Sequence, residues 1–225
     1  MKVQRLRVTF ARGAELKYIT HLDLMRFWER ALRRAGIAVA YSEGFSPHPQ
    51  ISLAAPLPVG VISSGELMDI FLSEAMAPAR FLRDLGGQLP PGLSLLEAHE
   101  APLGLPSIQS QMREAEYRVE VPPGVEAGAL ELKVRELLAR ETLPWRQQRE
   151  REVRSYDLRP LIHDLRVQDT GEHLVLLMRL QADSAAAGRP DQVMAALGLE
   201  SALVIERTRM ILAGEEAMAE EEPIR

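Results

Sequence analysis

Apolar and polar positions in the first half of the chain predict the order strand, helix, two strands, helix, strand. The segment VQRLRVTFARG alternates apolar and basic residues with the period of a half-buried strand. The segment THLDLMRFWERALRRAG repeats apolar residues at helical spacing, with Thr20 as the expected N-cap and Gly36 as the expected end. Two apolar runs within residues 50–74 flank a turn and predict a hairpin, which a short helix and a strand follow.

The same order recurs after residue 115. EYRVEVP predicts a strand, and EAGALELKVRELLARE predicts an amphipathic helix. Residues 151–169 are then expected to form a strand that pairs with residues 172–181. A short helix that starts at Pro190 and a last apolar strand complete the second half.

We therefore predict an α+β protein made of tandem ferredoxin-like (βαββαβ) domains with antiparallel sheets. The N-terminal domain is expected at 1–102, a linker at 103–114, and the C-terminal domain at 115–212. Residues 213–225 are expected to form a disordered acidic tail, because glutamate dominates them.

The first predicted hairpin allows sharper expectations. Pro56 and Pro58 have no N–H to donate, so residues 54–59 should not form a regular central strand. The strand before them has two alternative starts. A start at Gln50, which we adopt, places the preceding loop far from His21; a strand at 37–42 would bring His21 and His48 together. Seven side chains of the hairpin should be largely buried: Leu53, Leu57, Val59, Leu67, Met68, Ile70 and Leu72.

Composition narrows the class of protein. The chain contains no cysteine, which excludes disulfides, thiolate metal sites and an iron–sulfur cluster bound by its own residues. The net charge is −5, but the last 13 residues carry five glutamates against one arginine, which leaves −1 for the rest. The N-terminal segment has no apolar signal region and no apolar run is long enough to span a membrane, so we expect a cytoplasmic protein.

The segment GFSPHP is the first candidate site. Pro47 and Pro49 fix the backbone on both sides of His48, and a rigid loop binds a partner at low entropic cost. Phe45, Ser46 and His48 are therefore candidate binding residues. The structural alternative is a stiff connector in which Phe45 anchors the loop in the core and His48 caps a carbonyl.

Arginines supply the second candidate site. Arg26, Arg30, Arg33 and Arg34 recur at helical spacing on the first helix, and of these Arg30 and Arg34 are the candidate binding residues. In the second half the candidates are Arg154, Tyr156 and Arg159, because basic and aromatic side chains together suit single-stranded RNA. The alternative is a solvated face with internal ion pairs, such as Glu29 with Arg33.

His21 and Asp23 of THLD are a secondary candidate pair. Two ligands are too few for a metal site, and a capped helix start explains the same residues. No nucleophile motif, phosphate loop or metal-ligand spacing occurs in the chain, so we assign no catalytic residue, no metal ligand and no cofactor.

Several separated words of the sequence are similar to a known family. THLD, RALRRAG, YSEGFSPHP and PLPVG, with a weaker YDLRPLI, resemble the bacterial radical-SAM-linked family, a domain of unknown function. The resemblance runs from the first strand to about residue 210. It implies a partnership with a radical S-adenosylmethionine (SAM) protein, because relatives stand alone or are fused behind such a domain.

Two function hypotheses follow. In the first, which we prefer, the chain is a non-enzymatic accessory module of a radical SAM protein that presents an RNA or protein substrate. In the second, the chain is an independent RNA-binding or RNA-processing protein.

Overall fold

The computed structural model describes residues 1–149 and 152–216. The chain folds as two compact units, Met1–Met112 and Arg113–Arg225. The first unit contains β1 (Gln4–Arg12), α1 (His21–Arg34), β2 (Ile51–Leu53), β3 (Ile62–Leu72), α2 (Pro78–Gly86), β4 (Leu93–Ala101) and α3 (Ile108–Gln111). Its strands are ordered β4-β1-β3-β2, and β3 and β4 are antiparallel to β1, as β2 is to β3.

Helix α1 begins and ends where its local sequence predicts. The Thr20 hydroxyl accepts a hydrogen bond of 3.2 Å from the Asp23 backbone N–H, which satisfies one of the free donors at the helix start. After the helix, Gly36 adopts a φ of 67°, which residues with a side chain rarely adopt. The apolar stripe of α1, which includes the fully buried Trp28, packs on the sheet, where Trp28 contacts Phe10 edge-to-face at 5.1 Å between ring centroids.

The core of the first unit lies between the sheet and both longer helices. Leu6 and Val8 of β1, Met68 and Ile70 of β3, and Phe81 of α2 belong to one buried cluster with the α1 stripe. Because side chains alternate along a strand, the neighbouring Arg5, Arg7 and Asp69 occupy the opposite face. They are buried there too: Arg5 and Arg7 both form ion pairs with Asp69, that between Arg7 Nε and Asp69 Oδ1 measuring 2.9 Å.

The hairpin prediction is confirmed at five side chains and wrong at one. Leu53, Leu57, Met68, Ile70 and Leu72 are buried, Leu67 is half-buried, and Val59 is 60% exposed. Residues 54–59 form no strand, as the two prolines predict. The chain leaves the sheet here, and the Pro58 and Val61 carbonyls accept hydrogen bonds from the Arg12 guanidinium at 3.2 and 3.0 Å. Because residues 54–59 are not part of a strand, the alternation of buried and exposed side chains does not extend to Val59.

Both alternative segments for the second strand pair with β3. Strand β2 begins one residue after Gln50, and an isolated antiparallel bridge joins Val39 to Leu72. The Ala40 N–H donates to the Phe71 carbonyl at 2.7 Å, and the Phe71 N–H donates to the Gln50 carbonyl at 3.0 Å. Residues 41–49 therefore leave the sheet edge as a loop and return to it.

Residues 103–112 pack closely within the first unit. Ile108 and Met112 are buried, and Arg5 donates to the Leu105 and Pro106 carbonyls at 2.8 and 2.9 Å. Gln109 donates to the Leu53 carbonyl at 2.7 Å. The segment predicted as a linker thus contains a short helix and the start of the next strand.

The second unit contains β5 (Met112–Glu120), α4 (Ala127–Leu138), β6 (Pro144–Arg149), β7 (Glu152–Asp157), β8 (Ile162–Asp169), β9 (Leu174–Gln181), α5 (Pro190–Ala196) and β10 (Val204–Leu212). Four of these strands form a sheet in the order β10-β5-β9-β8, and β6 pairs with β7 in a separate antiparallel hairpin. One buried cluster combines apolar residues of β5 and β9 with those of α4 and α5, so both helices cover one face.

The predicted long strand at 151–169 is wrong. A 3₁₀ turn at Arg159–Leu161 divides it, because Pro160 fixes its own φ and cannot donate to a ladder. The part before the turn is β7, whose partner β6 was not predicted, since few apolar residues alternate in PWRQQR. In the predicted acidic tail, Glu216 lies 3.7 Å from Arg113, and residues 217–225 lie outside the described residues.

Candidate functional site

A pocket of about 430 Å³ lies between α1 and the loop at residues 41–49. The helix contributes Arg26, Glu29, Arg30 and Arg33, and the loop contributes Tyr41, Pro47, His48 and Pro49. The helical residues share one face because they lie three, four and seven positions apart. We call this cavity the arginine pocket.

The loop that forms the outer wall of the arginine pocket is closed at its base. The Ser42 N–H donates to the His48 carbonyl at 2.9 Å, and the His48 N–H donates to the Ser42 hydroxyl at 3.0 Å. Tyr41 and Pro49 form a bridge just below. At the tip, Gly44 has a φ of 121°, a conformation that favours glycine. The Phe45 side chain beside it is fully exposed, so the alternative in which Phe45 anchors the loop in the core is wrong.

The arginine pocket carries excess positive charge. Three arginines against one glutamate leave two positive charges among its lining residues. Arg26 lies 3.6 Å from Asp23, and both side chains of this ion pair are largely exposed. Among the residues whose side chains the structure describes, Arg30 and Arg33 form no ion pair, so the Glu29–Arg33 pair of the alternative interpretation does not form. The pocket therefore presents two guanidinium groups without an ion pair, and a third, that of Arg26, whose exposed ion pair contributes little and leaves it available to a ligand.

The structure brings some predicted site residues together and separates others. Arg30 and His48 line the arginine pocket, and Phe45 and Ser46 lie at the exposed tip of its loop. Arg34 donates to the Gln88 carbonyl at 3.2 Å and does not line the pocket.

His21 and Asp23 lie at the start of α1, outside the arginine pocket. His21 is exposed, and Asp23 accepts a hydrogen bond of 2.7 Å from the Thr20 hydroxyl. The arrangement is that of a capped helix start. Tyr41, which does line the pocket, was not identified as a site residue, because its alternation with Val39 indicates only a strand.

The candidates of the second half have different surroundings. Arg154 and Tyr156 line a second pocket of about 320 Å³. Arg159 instead forms hydrogen bonds with the last residue of α4 and the first residue of β8. Its guanidinium donates to the Leu138 carbonyl at 3.2 and 3.1 Å and to the Ile162 carbonyl at 2.9 Å. Arg159 is thus a structural residue, and no spacing in the sequence distinguishes it from Arg154.

No group of three or more His, Asp or Glu side chains among residues 1–149 and 152–216 is arranged to hold a metal ion. In the same residues no helix is long and apolar enough to cross a membrane.

Comparison with known proteins places the chain in a family. Residues 5–190 match the profile of a family described as uncharacterized proteins conserved in bacteria (DUF2344), and the chain belongs to this family. No curated protein matches the chain.

Among solved structures, one similar chain comes from the crystal structure of a Cbf5-Nop10-Gar1 complex, with a TM-score of 0.44 and 11% sequence identity. The similarity covers 90% of the present chain and 48% of the other, so the present chain spans about half the length of its structural neighbour.

Proposed function

We propose that the chain is a binding module whose arginine pocket holds the phosphates of single-stranded RNA. The observation that carries this proposal is the position of Arg30 and Arg33, which line one pocket without ion-pair partners among the described residues. Arginine binds phosphate oxygens through two parallel hydrogen bonds, which makes it well suited to nucleic-acid backbones.

The length of the pocket favours a nucleic-acid strand over a single phosphate. Arg26 and Arg33 are seven residues apart, which corresponds to about 10 Å along the helix axis. Two exposed aromatic side chains, Tyr41 and Phe45, lie on the loop beside this row of arginines. Each base that stacks on an aromatic ring contributes about 1–3 kcal/mol, whatever the base. Phosphate contacts along the helix and stacking on the loop are therefore compatible with one bound strand.

The acidic net charge does not oppose this proposal. Charges beyond about 10 Å are largely screened at 0.1 M salt, so the nearby arginines dominate the potential in the pocket. Glu29 is the acidic residue that lines it.

We further propose that the module presents its ligand to a radical SAM enzyme. Support comes from the resemblance carried by THLD and YSEGFSPHP. Co-purification of the two proteins would support this role, and the absence of a complex at micromolar concentrations would contradict it.

We also propose that each unit has a ferredoxin-like fold. Two observations support this assignment: the strand orders β4-β1-β3-β2 and β10-β5-β9-β8, and the packing of the two longer helices of each unit on one face of its sheet. Folds of this kind serve many functions, so the assignment does not itself support RNA binding.

A salt series with RNA tests the binding proposal. Binding of a fluorescent 12-nucleotide RNA to the full chain is measured by anisotropy at several salt concentrations. On single strands the logarithm of the association constant falls by about 0.7 per neutralised phosphate for each tenfold rise in salt. Three pocket arginines therefore predict a slope of about −2, and the double variant Arg30→Gln/Arg33→Gln predicts about −0.7.

Arg34→Gln is the matched control, because Arg34 lies on the same helix but outside the pocket. It should leave the slope unchanged. Phe45→Ala should weaken binding by about fivefold or more at every salt concentration, since it removes stacking and no charge. Binding that is insensitive to salt, or that Arg34→Gln weakens as much as Arg30→Gln/Arg33→Gln does, would contradict the proposal.

A further inference from the structure

The second pocket lies entirely in the second unit and has a different character from the arginine pocket. It lies between the end of β7, the 3₁₀ turn that follows, and residues 183–189. Its volume of about 320 Å³ is at the lower end of the range of small-molecule sites. A pocket of this size suits a ligand no larger than a single nucleotide.

One wall of this pocket is an aromatic ring held in place. The Tyr156 hydroxyl donates a hydrogen bond of 2.6 Å to the Gln192 side-chain oxygen, and Gln192 is buried. The ring also packs against the core of the second unit. Because the ring is already fixed, a flat ligand that stacks on it loses little additional side-chain entropy.

Another wall is a short loop of small residues with a fixed shape. The Asp183 carboxylate accepts hydrogen bonds from the Ala185 and Ala186 N–H groups at 2.8 and 2.9 Å, and from the Gln181 side chain at 2.8 Å. Burial opposes ionisation of Asp183, but these hydrogen bonds outweigh it and lower its pKa. The carboxylate is thus ionised at neutral pH and holds the loop, and the alanine side chains leave the space beside it open.

The charged side chains of this pocket differ in whether they already form hydrogen bonds or ion pairs within the protein. Arg189 forms two hydrogen bonds with Asp191, at 2.9 and 3.1 Å. Asp157 accepts from the Leu143 and Arg159 N–H groups at 2.7 and 3.0 Å through one oxygen, Oδ1. Arg154 is exposed and has no ion pair or hydrogen bond from its side chain to any described residue. Its guanidinium is therefore the positive charge of this pocket that is available to pair with an anionic group of a ligand.

We propose that this pocket binds a small ligand with a flat aromatic ring and one anionic group, the chemistry that a nucleoside monophosphate presents. The ring stacks on Tyr156, and the anionic group pairs with Arg154. Hydroxyl groups on the ligand can donate to the second oxygen of Asp157. The proposal does not depend on RNA binding at the arginine pocket, since the two pockets share no residue.

Calorimetry with adenosine 5′-monophosphate tests this proposal. The full chain is titrated in the Arg30→Gln/Arg33→Gln background, which removes phosphate binding at the arginine pocket. Adenosine 5′-monophosphate should bind, while adenosine alone and inorganic phosphate alone should each bind at least tenfold more weakly. Arg154→Gln and Tyr156→Leu should each weaken binding at least tenfold. Arg135→Gln on α4 should have no effect, because this exposed arginine of the same unit does not line the pocket.

Three results would overturn the proposal. One is the absence of detectable binding at 1 mM nucleotide, measured at a protein concentration that would reveal a millimolar dissociation constant. The second is binding that Arg154→Gln does not change. The third is binding of inorganic phosphate as tight as that of the nucleotide, which would leave the ring without a role. Because Arg154 is exposed, Arg154→Gln should not impair folding, and an unchanged urea midpoint checks this.

Discussion

In the first unit Arg7 of β1 lies directly opposite Asp69 of β3, whereas in the second unit Glu116 of β5 lies directly opposite Arg179 of β9. Both pairs are buried, and both lie on the face of their sheet that points away from the helices. The acidic and basic residues have exchanged strands. The position of a buried ion pair in the sheet is thus common to the two units, and the polarity of the pair is not.

The two buried pairs also differ in their charge balance. Asp69 is the shared partner of two arginines, Arg5 and Arg7. Arg179 is close to two acids, with Glu116 at 3.1 Å and Glu114 at 3.9 Å. Removing the acid therefore leaves two buried cations in the first unit, but leaves a second carboxylate beside the cation in the second.

The units share a further feature in the connection from their first helix to their second strand. In the first unit this connection contains the loop at 41–49, which forms a wall of the arginine pocket. In the second unit it contains the β6–β7 hairpin, which supplies Arg154 and Tyr156. Candidate binding residues occur at the same topological position in both halves, although the sequences there are unlike each other.

The largest expected effect concerns the acid shared by two arginines. Asp69→Asn should lower the free energy of unfolding of the first unit by about 3–5 kcal/mol, because it leaves buried guanidiniums without a compensating charge. Glu116→Gln should lower that of the second unit by about 1–3 kcal/mol, since Glu114 remains near Arg179. Hydrogen exchange of the β1 and β5 amides measures the two opening free energies in one experiment.

The control for this contrast is Asp164→Asn, which removes an ion pair with the exposed Arg166 side chain. It should change stability by less than about 1 kcal/mol. Equal decreases in unfolding free energy for Asp69→Asn and Glu116→Gln would show that the number of buried charged partners does not determine the destabilisation. That result would contradict the proposed difference between the two units.

An intermediate effect is expected at the helix starts. Thr20 caps α1 with its hydroxyl, while Glu126, at the equivalent position of α4, makes no side-chain capping bond. Thr20→Ala should destabilise the first unit by about 1 kcal/mol. Glu126→Ala should cost less than about 0.5 kcal/mol, because only its attraction to the helix dipole is lost. Urea unfolding of both variants gives the two values, and a larger loss for Glu126→Ala would contradict the assigned cap.

The smallest effect is a pH dependence specific to the second unit. A hydrogen bond of 2.7 Å between His163 Nδ1 and Glu114 raises the pKa of His163, against the opposing effect of burial. Protonation therefore favours the folded state, and the contribution is fully present below the unfolded pKa of about 6.5. It is lost as pH rises through the higher pKa of the folded protein.

Comparison of the native chain with His163→Asn tests this sign. The native chain should be the more stable near pH 5.5, and the difference should shrink toward pH 8. Glu114→Gln should remove the same pH dependence, because it removes the group that raises the pKa. A difference that grows with pH would contradict the assignment, and urea midpoints over this pH range provide the measurement.

Elements with strong local signals could be predicted from the sequence. Helix α1 is an example, because a capping threonine, an apolar stripe and a terminal glycine all lie within the 17 residues from Thr20 to Gly36. The break in the strand at Pro56 and Pro58 is another, since the missing N–H is a property of the residue itself. The β6–β7 hairpin lacked such signals, and its two strands were not predicted as a pair.

The sequence predicted which types of residue form the candidate site, but not which individual residues line it. Helical spacing brings Arg26, Arg30 and Arg33 to one face whatever surrounds them. Which arginines remain available depends on carbonyl groups elsewhere in the chain: Gln88 binds Arg34, and Leu138 binds Arg159. Helix periods, caps and proline breaks are thus determined by the sequence alone, because they involve neighbours within a few residues. The pockets and the free or occupied state of each arginine are decided by the tertiary structure, because the partners that compete for each guanidinium are distant in sequence and meet it only on folding.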